Sequence, residues 1–311
     1  MTDNRITQYQ LYNAFIKRKR LVFIIGIIAT VVIALFAVSA GSLDVSVSEV
    51  IKVLFGQGTE LSQLVVMNIR LPRIVAAILV GAILAVSGAV MQCVLRNPLA
   101  SPSTLGVSQG AAFGAALGII VFGGGVVNTS SAATAITINN PYIVTLCAFI
   151  CGSLSTVVVI ALSQLKRDLG PAGLILAGVA LSSLFAGGST LLQYFADETK
   201  ISSVVFWTFG NMGAAGWPEL LILAIVFVAV IIYFVLNRWN YNAMTSGADT
   251  AKSLGVNTRT VMLTSMCVGT LAAAVAVSFV GIISFVGLVA PHIMRRFVGN
   301  DYRYLIPCSA V

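Results

Sequence analysis

Charge is what this chain has least of. Charged residues make up 9% of its 311 residues, and acids are scarcer than bases, with 10 Asp and Glu against 18 Lys and Arg. Against 58% hydrophobic residues and a mean hydropathy of +0.99, too little polar surface remains to coat a water-soluble fold. The few charges also avoid the middle of every long apolar run. A proton or ion relay inside a membrane normally needs an acid or base there, so an ion-coupled carrier or proton pump loses ground. Walker A, HExxH and GxSxG motifs and metal-ligand clusters are missing as well. The one histidine, His292, stands beside Pro291 at the end of an apolar run, where a structural role outweighs a catalytic one. No catalytic residue, metal or cofactor is expected, which argues against a membrane enzyme. The five cysteines (Cys93, Cys147, Cys151, Cys267, Cys308) show no CxxC or Cys/His spacing. Cys147 and Cys151 share a helical face, yet they read as small buried hydrophobes, and no disulfide framework is implied.

What the chain does have is a succession of apolar runs, the mark of a polytopic, all-α bundle in lipid. The first, Leu21 to Leu43, follows the basic cluster Lys17-Arg18-Lys19-Arg20. It is too long for the roughly 7–15-residue apolar core of a cleavable signal peptide, so it reads as span 1, about 21–41. A polar segment, Asp44 to Met67, reads as an exterior surface helix and leads into span 2 (74–95). The uncharged stretch from Asn97 to Leu165 is too long for one crossing, and the polar patch Asn128 to Asn140 divides it into spans 3 (105–126) and 4 (142–163). Span 3 carries Gly106, Gly110, Gly114 and Gly118 among alanines, so neighbouring backbones can approach it and it belongs inside the bundle. Lys166-Arg167-Asp168 precedes span 5 (172–195), whose small residues Ala177, Gly178, Ala180, Ser182, Ser183, Ala186, Gly187 and Gly188 suit either a translocation path or a helix contact. The aromatic segment Phe206 to Trp217 fits an interfacial belt or a lid. Span 6 (219–236) is followed by the longest interior polar stretch, Asn237 to Thr260, too long for an idle bundle loop and therefore a binding segment. Val261 to Pro291 folds best as a hairpin of spans 7 (261–279) and 8 (282–297), with Pro291 kinking span 8.

The basic residues fix a direction. With a cytoplasmic N-terminus, Arg5, Lys17, Arg18, Lys19, Arg20, Arg96, Lys166, Arg167, Arg238, Lys252, Arg259, Arg295, Arg296 and Arg303 lie inside, and only Lys52, Arg70, Arg73 and Lys200 outside. The net charge of +8 is thus a topology signal, and nucleic acid is not expected as a partner. Arg70 and Arg73 oppose the trend. Spaced by three around Pro72, they present guanidinium forks suited to carboxylates, or to lipid phosphates. A chain with no motor of its own that moves something uphill must borrow energy from a partner, and Asn237 to Thr260 is the place to attach one.

Several of these segments follow one another as in a known family. Arg70-Leu-Pro-Arg73, Gly81-Ala82 through Val86-Ser87-Gly88-Ala89-Val90-Met91-Gln92, Asn97-Pro98-Leu99-Ala100 and Leu105-Gly106-Val107-Ser108 come first. Leu176-Ala177-Gly178-Val179-Ala180, Trp207 with Gly210, Leu254-Gly255-Val256, Phe285 through Ile293, and Asp301-Tyr302-Arg303 continue the series. Together they resemble the permeases of ABC importers for iron-siderophores, haem and cobalamin, over nearly the whole chain.

The resemblance implies a ten-span type II importer fold in one transmembrane domain, residues 1–311, with about eight spans complete and the chain stopping within span 9. It implies a multi-pass protein of the cytoplasmic membrane, in contact with lipid and working as a homodimer or beside a homologous permease. Two ATP-binding cassette ATPases would bind ATP and magnesium, and an extracytoplasmic substrate-binding protein would deliver an iron-siderophore, or cobalamin or haem. Arg70 and Arg73 would dock that binding protein. Asn97 and Leu99 would sit at a cytoplasmic gate, with a second gate region at Pro171 and Ala172, where the family pattern leads one to expect small hydroxyl residues instead. Met244, Gly247, Ala251, Leu254, Gly255 and Val256, within segment 237–260, would couple to the ATPase. The rival from another class is a carrier or channel that needs no ATPase.

Overall fold

The computed structural model describes residues 2–41, 46–124, 140–166 and 170–311. Asp44, the dividing polar patch from Asn128 to Asn139, and Arg167-Asp168 lie outside the described residues. Every regular element among the described residues is helical: α1 (Thr2–Ser39), α2 (Val47–Leu54), α3 (Glu60–Val65), α4 (Leu71–Val94), α5 (Val107–Ala116), α6 (Pro141–Leu165), α7 (Pro171–Tyr194), α8 (Glu198–Thr208), α9 (Trp217–Leu236), α10 (Arg238–Thr245), α11 (Ala248–Ser253), α12 (Thr258–Val280), α13 (Val286–Val298) and α14 (Tyr302–Ala310).

Among the described residues, six helical runs are long and apolar enough to cross a bilayer: Asn13–Ser39, Glu60–Val94, Tyr142–Leu165, Pro171–Tyr194, Trp217–Leu236 and Thr258–Val280. The other two expected spans are shorter. The run Val107–Val121, α5 with its terminal π turn, and the 13-residue α13 reach only about 20 Å at 1.5 Å per residue. Both pack against other helices, α5 on α6 and α7, α13 on α4 and α14. Short helices and turns at membrane depth are tolerated where protein rather than lipid surrounds them.

The second run departs from expectation in a second way. Only the first part of the polar segment before it, α2, stays a separate helix: α3 passes through a π turn, Val66–Arg70, straight into α4. Pro72 follows directly on that π turn, whose wider ring accommodates a proline, with its missing N–H, inside a continuing helix. The Arg-Leu-Pro-Arg clip therefore lies within a 35-residue helical run rather than at its edge.

α4 is the hub. Every residue from Ala82 to Val94 is buried, with α9, α12, α13 and α14 around it. Two contacts set the tightest spacing. A Cβ on Gly88 would lie 1.6 Å from the carbonyl oxygen of Gly287, so α4 and α13 meet backbone to backbone. Along α5, a Cβ on Gly110 or Gly114 would come within 2.7 or 2.1 Å of the carbonyls of Cys151 and Cys147 on α6. Span 3 is thus the interior helix its glycines indicate. α1, by contrast, turns Ile25, Val32, Ile33 and Phe36 outward, a face fit for acyl chains.

Long-range bonds sort the helix ends into two layers. Lys19, Gln92, Asn242, Arg295 and Asp301 meet at one, which also holds Arg96. At the other, Arg70 reaches α1, Trp217 donates to the Met67 carbonyl at 3.1 Å, and Lys200 donates to the Ile120 carbonyl at 3.1 Å. The first is called the basic layer below and the second the far layer.

Candidate functional site

In the far layer, the two arginines of the clip do different things. Arg70 Nη1 donates to the carbonyls of Val38 at 2.7 Å and Ser39 at 2.9 Å. These belong to the last turn of α1, where carbonyls lack intrahelical donors and the helix dipole favours a cation. Only 9% of Arg70 is exposed. Gly41 makes room for it, since a Cβ there would fall 2.5 Å from Nη2. Arg73 is exposed. Of the two forks expected to face a partner, one is engaged inside the protein and one is presented. Nearby, Phe206 and Phe209 are exposed, and Asn211 N donates to the Val280 carbonyl at 2.6 Å, so this aromatic segment rests on the turn between α12 and α13.

In the basic layer, α4 ends in a turn that the left-handed Arg96 (φ +48°) opens. Asn97 Oδ1 accepts from the Leu99 N–H at 2.8 Å, closing an Asx turn that leaves Leu99 63% exposed. Pro171 and the exposed Ala172 form the first turn of α7. The polar stretch after α9 forms two short helices, α10 and α11, joined at Gly247, whose φ of +118° suits glycine. Here Met244 and Ala251 are buried anchors, whereas Leu254, 67% exposed, and Gly255 (φ +82°) face outward beside the surface pair Asp249–Lys252. Tyr241 Oη shares a hydrogen bond with Ser265 Oγ at 2.8 Å, fastening α10 to α12, and burial pushes its phenol above the ordinary range.

A denser cluster lies beside it. Asn242 Nδ2 donates to Asp301 Oδ1 at 3.0 Å, and Asn242 Oδ1 accepts the Tyr302 N–H at 2.8 Å. Arg303 binds the Asp301 carboxylate with Nε and Nη2, the shortest bond being 2.7 Å, and the buried Lys19 stands 3.4 Å from Oδ2. Burial raises the Asp301 pKa, but the bonds from Arg303 and Asn242 outweigh it and hold the carboxyl well below the usual range. One turn deeper, Arg295 bonds to Gln92 Oε1 and, at 3.3 Å, to Tyr302 Oη, which donates to the Ala89 carbonyl at 3.2 Å.

Between the layers, α7 shows two faces. Gly178 and Gly188 pack against the Thr104–Leu105 backbone and the Phe113 ring. On the other side Ala180, Ser183, Gly187 and Thr190, spaced by three and four, are exposed. Ser183 and Thr190 bond back to the carbonyls of Val179 and Ala186 at 3.1 Å each. Among the described residues, no group of three or more His, Cys, Asp or Glu side chains could hold a metal ion.

A model of the FecCD transport family matches residues 28–311. The chain belongs to the FecCD transport family. MJ0087 of Methanocaldococcus jannaschii, assigned as an ABC transporter permease, is 50% identical over 97% of this chain and 85% of its own length. The iron(3+)-hydroxamate import permease FhuB of Bacillus subtilis is 36% identical over 94% of this chain and 72% of its own. The inward-facing structure of a transporter assigned to the metal-chelate ABC type superposes with a TM-score of 0.79 at 30% identity, covering 94% of this chain and 86% of that one. This FecCD protein is therefore an ABC importer permease of the type II fold and a multi-pass membrane protein.

Several residues central to this FecCD permease's geometry do not announce themselves in the sequence. Lys19 reads as one of four basic residues in a topology signal, and Asn242 as one polar residue among many. Only the marked motif Asp301-Tyr302-Arg303 hints at the cluster that joins them.

Proposed function

We propose that this permease moves an iron-siderophore or a related metal chelate across the cytoplasmic membrane by alternating access, paired with a second permease and driven by two ATPase subunits that bind the ATP and magnesium. A substrate-binding protein delivers the chelate on the outer side, and the N-terminus lies inside, so the basic layer is cytoplasmic. The observation that carries this reading is the uncovered face of α7. Its middle, Ala180, Ser183, Gly187 and Thr190, is small or hydroxyl-bearing, with exposed Leu176, Leu184, Leu191 and Tyr194 at its ends and edge, whereas α1 turns Ile, Val and Phe outward along its length. Such a face suits a polar solute and a facing helix better than it suits acyl chains.

The other parts arrange themselves around that axis. Arg73 is the member of the clip ready to take a carboxylate of the binding protein, while Arg70 holds α1 in place behind it. Asn97, Leu99, Pro171 and Ala172 border the cytoplasmic mouth. Leu254 and Gly255 offer the ATPase a protruding apolar contact, with Met244, Gly247, Ala251 and Val256 shaping it from behind. Iron-hydroxamate comes first as cargo because FhuB carries that name. Haem and cobalamin are the second reading, since HmuU of Yersinia pestis, 35% identical, is named for hemin and BtuC of Vibrio cholerae, 32% identical, for vitamin B12.

The test is uptake by proteoliposomes holding the permease, its ATPase and its binding protein, with ferric hydroxamate, haem and cobalamin offered separately. Uptake of the ferric chelate that needs ATP and falls on Ser183→Trp is the expected result. Uptake that persists without the ATPase would instead favour a carrier.

A further inference from the structure

Asp301 is where three parts of the chain far apart in sequence converge: Lys19 of α1 lies 282 residues away, Asn242 of α10 lies 59 away, and Asp301 itself caps α14. We infer that Asn242 and Asp301 form the joint through which displacement of α10 and α11 passes into the helix bundle, as positioning residues for transport. This rests on the reading of α10–α11 as the segment that meets the ATPase.

The joint is stiff for reasons visible in its bonds. Both ends of the Asn242 amide are used, the nitrogen on Asp301 Oδ1 and the oxygen on the Tyr302 N–H, so the side chain has one orientation and α10 has one seat on α14. The carboxylate that receives it is charged and held from the other side by Arg303 and Lys19. Charge-assisted, multiply bonded contacts of this kind resist sliding better than a single neutral bond. Among the described residues, the other polar ties of α10 to neighbouring helices are weaker in kind: the Arg303 guanidinium over the Trp239 ring at 5.0 Å, one hydroxyl pair, Tyr241 with Ser265, and a long sulfur contact from Cys93 to the Tyr241 carbonyl at 3.5 Å.

Beyond the joint the connection continues without a soft link. Tyr302, next to Asp301, bonds through its hydroxyl to the Ala89 carbonyl of α4 and accepts from Arg295 of α13. Arg295 grips Gln92, whose amide donates to the Leu288 carbonyl at 3.2 Å. One turn further along, α4 and α13 touch at Gly88 and Gly287, with no side chain between the backbones to absorb a shift. A push on α10 thus reaches α14, α13 and the buried hub α4 through bonded or backbone contacts at every step.

The experiment uses the complete complex of permease, ATPase and binding protein in proteoliposomes, reading substrate uptake and ATP hydrolysis together. Asn242→Asp sets a carboxylate against Asp301. Asn242→Asp combined with Asp301→Asn restores a donor facing an acceptor, with the direction reversed. The single variant should assemble and hydrolyse ATP, yet move about tenfold less substrate per ATP, within the usual span of coupling between sites. The reciprocal pair should recover part of that ratio, since it relieves the like charges but gives up the bonds of Arg303 to Oδ1. If Asn242→Asp does not assemble, Asn242→Ala removes both bonds without a like charge and is read by the same criterion. Wild-type substrate per ATP in an assembled single variant would overturn the joint. A wild-type complex with no ATP-dependent uptake would overturn the importer reading itself, and this inference with it.

Discussion

Gly88→Ala adds one methyl group at the point where α4 and α13 come closest. Its Cβ would sit 1.6 Å from the Gly287 carbonyl oxygen, 2.5 Å from the carbonyl carbon and 2.8 Å from Cα. Real Cβ contacts essentially never fall under 3.0 Å, so the two backbones must part by well over 1 Å. No flexible side chain can yield instead. Overpacking a tight contact costs about 1–3 kcal/mol, and more where only backbone can move. For a chain of this length that is a melting temperature lower by about 2–5 °C.

The same helix supplies its own control. Gly81 has nothing within 4 Å of an added Cβ, so Gly81→Ala should be neutral or should stabilise by about 0.5–1 kcal/mol, the usual helix preference for alanine. The assay is thermal unfolding of the detergent-solubilised protein, followed by loss of the monodisperse peak, with transport measured alongside. Gln92 lies one turn beyond Gly88 and bonds to Leu288 beside Gly287. Separation of the helices should therefore pull the Gln92–Arg295 grip apart and cost uptake at temperatures where the protein remains folded. Equal melting temperatures for the two alanine variants would refute the close approach.

Arg70→Ala should destabilise the protein by about 1–3 kcal/mol, because the Val38 and Ser39 carbonyls lose their donor. Arg73→Ala should leave the melting temperature unchanged, and Arg73→Glu should weaken capture of the binding protein without unfolding the permease, measured by pull-down and thermal shift on one preparation. Asp301 has a folded pKa depressed below the unfolded value of about 3.9, so its contribution is fully present above that value and is lost as pH falls through the folded one. The stability gap between wild type and Asp301→Asn should accordingly be constant near neutrality and close as pH drops below about 4. A gap that widens on acidification would reverse the assignment. Gly114→Leu should separate α5 from α6, since even a Cβ there falls 2.1 Å from the Cys147 carbonyl. Loss of folded protein is expected, whereas Gly170→Leu, with open space around it, should express normally.

How much of this was legible beforehand follows from how local each signal is. The buried α4 and the glycine-lined α5 could be read because apolar length and small-residue spacing are properties of one helix. The segment Asn237 to Thr260 stood out for the same reason, although its division into buried anchors, Met244 and Ala251, and the protruding Leu254 depends on what lies behind it. The joining of α3 to α4 was hidden because Pro72 looks like a boundary unless the turn before it is known to be π.

Cations posed the hardest case. Counted along the sequence they report which side of the membrane a loop occupies: Lys200 and Arg259 enter only as tallies, and Arg70 as one of two forks turned to a partner. In three dimensions each sits at the C-terminal end of a helix other than its own: Arg70 on Val38 and Ser39, Lys200 on Ile120, Arg259 on Ser163 at 3.0 Å. The carbonyls there carry the negative end of the helix dipole and lack donors within the helix. A bundle with so few polar side chains has few other means of closing those ends. The cation that marks a loop's side and the cation that caps a neighbouring helix can therefore be the same residue, and only the fold distinguishes Arg70, committed inward, from Arg73, three positions on and facing out.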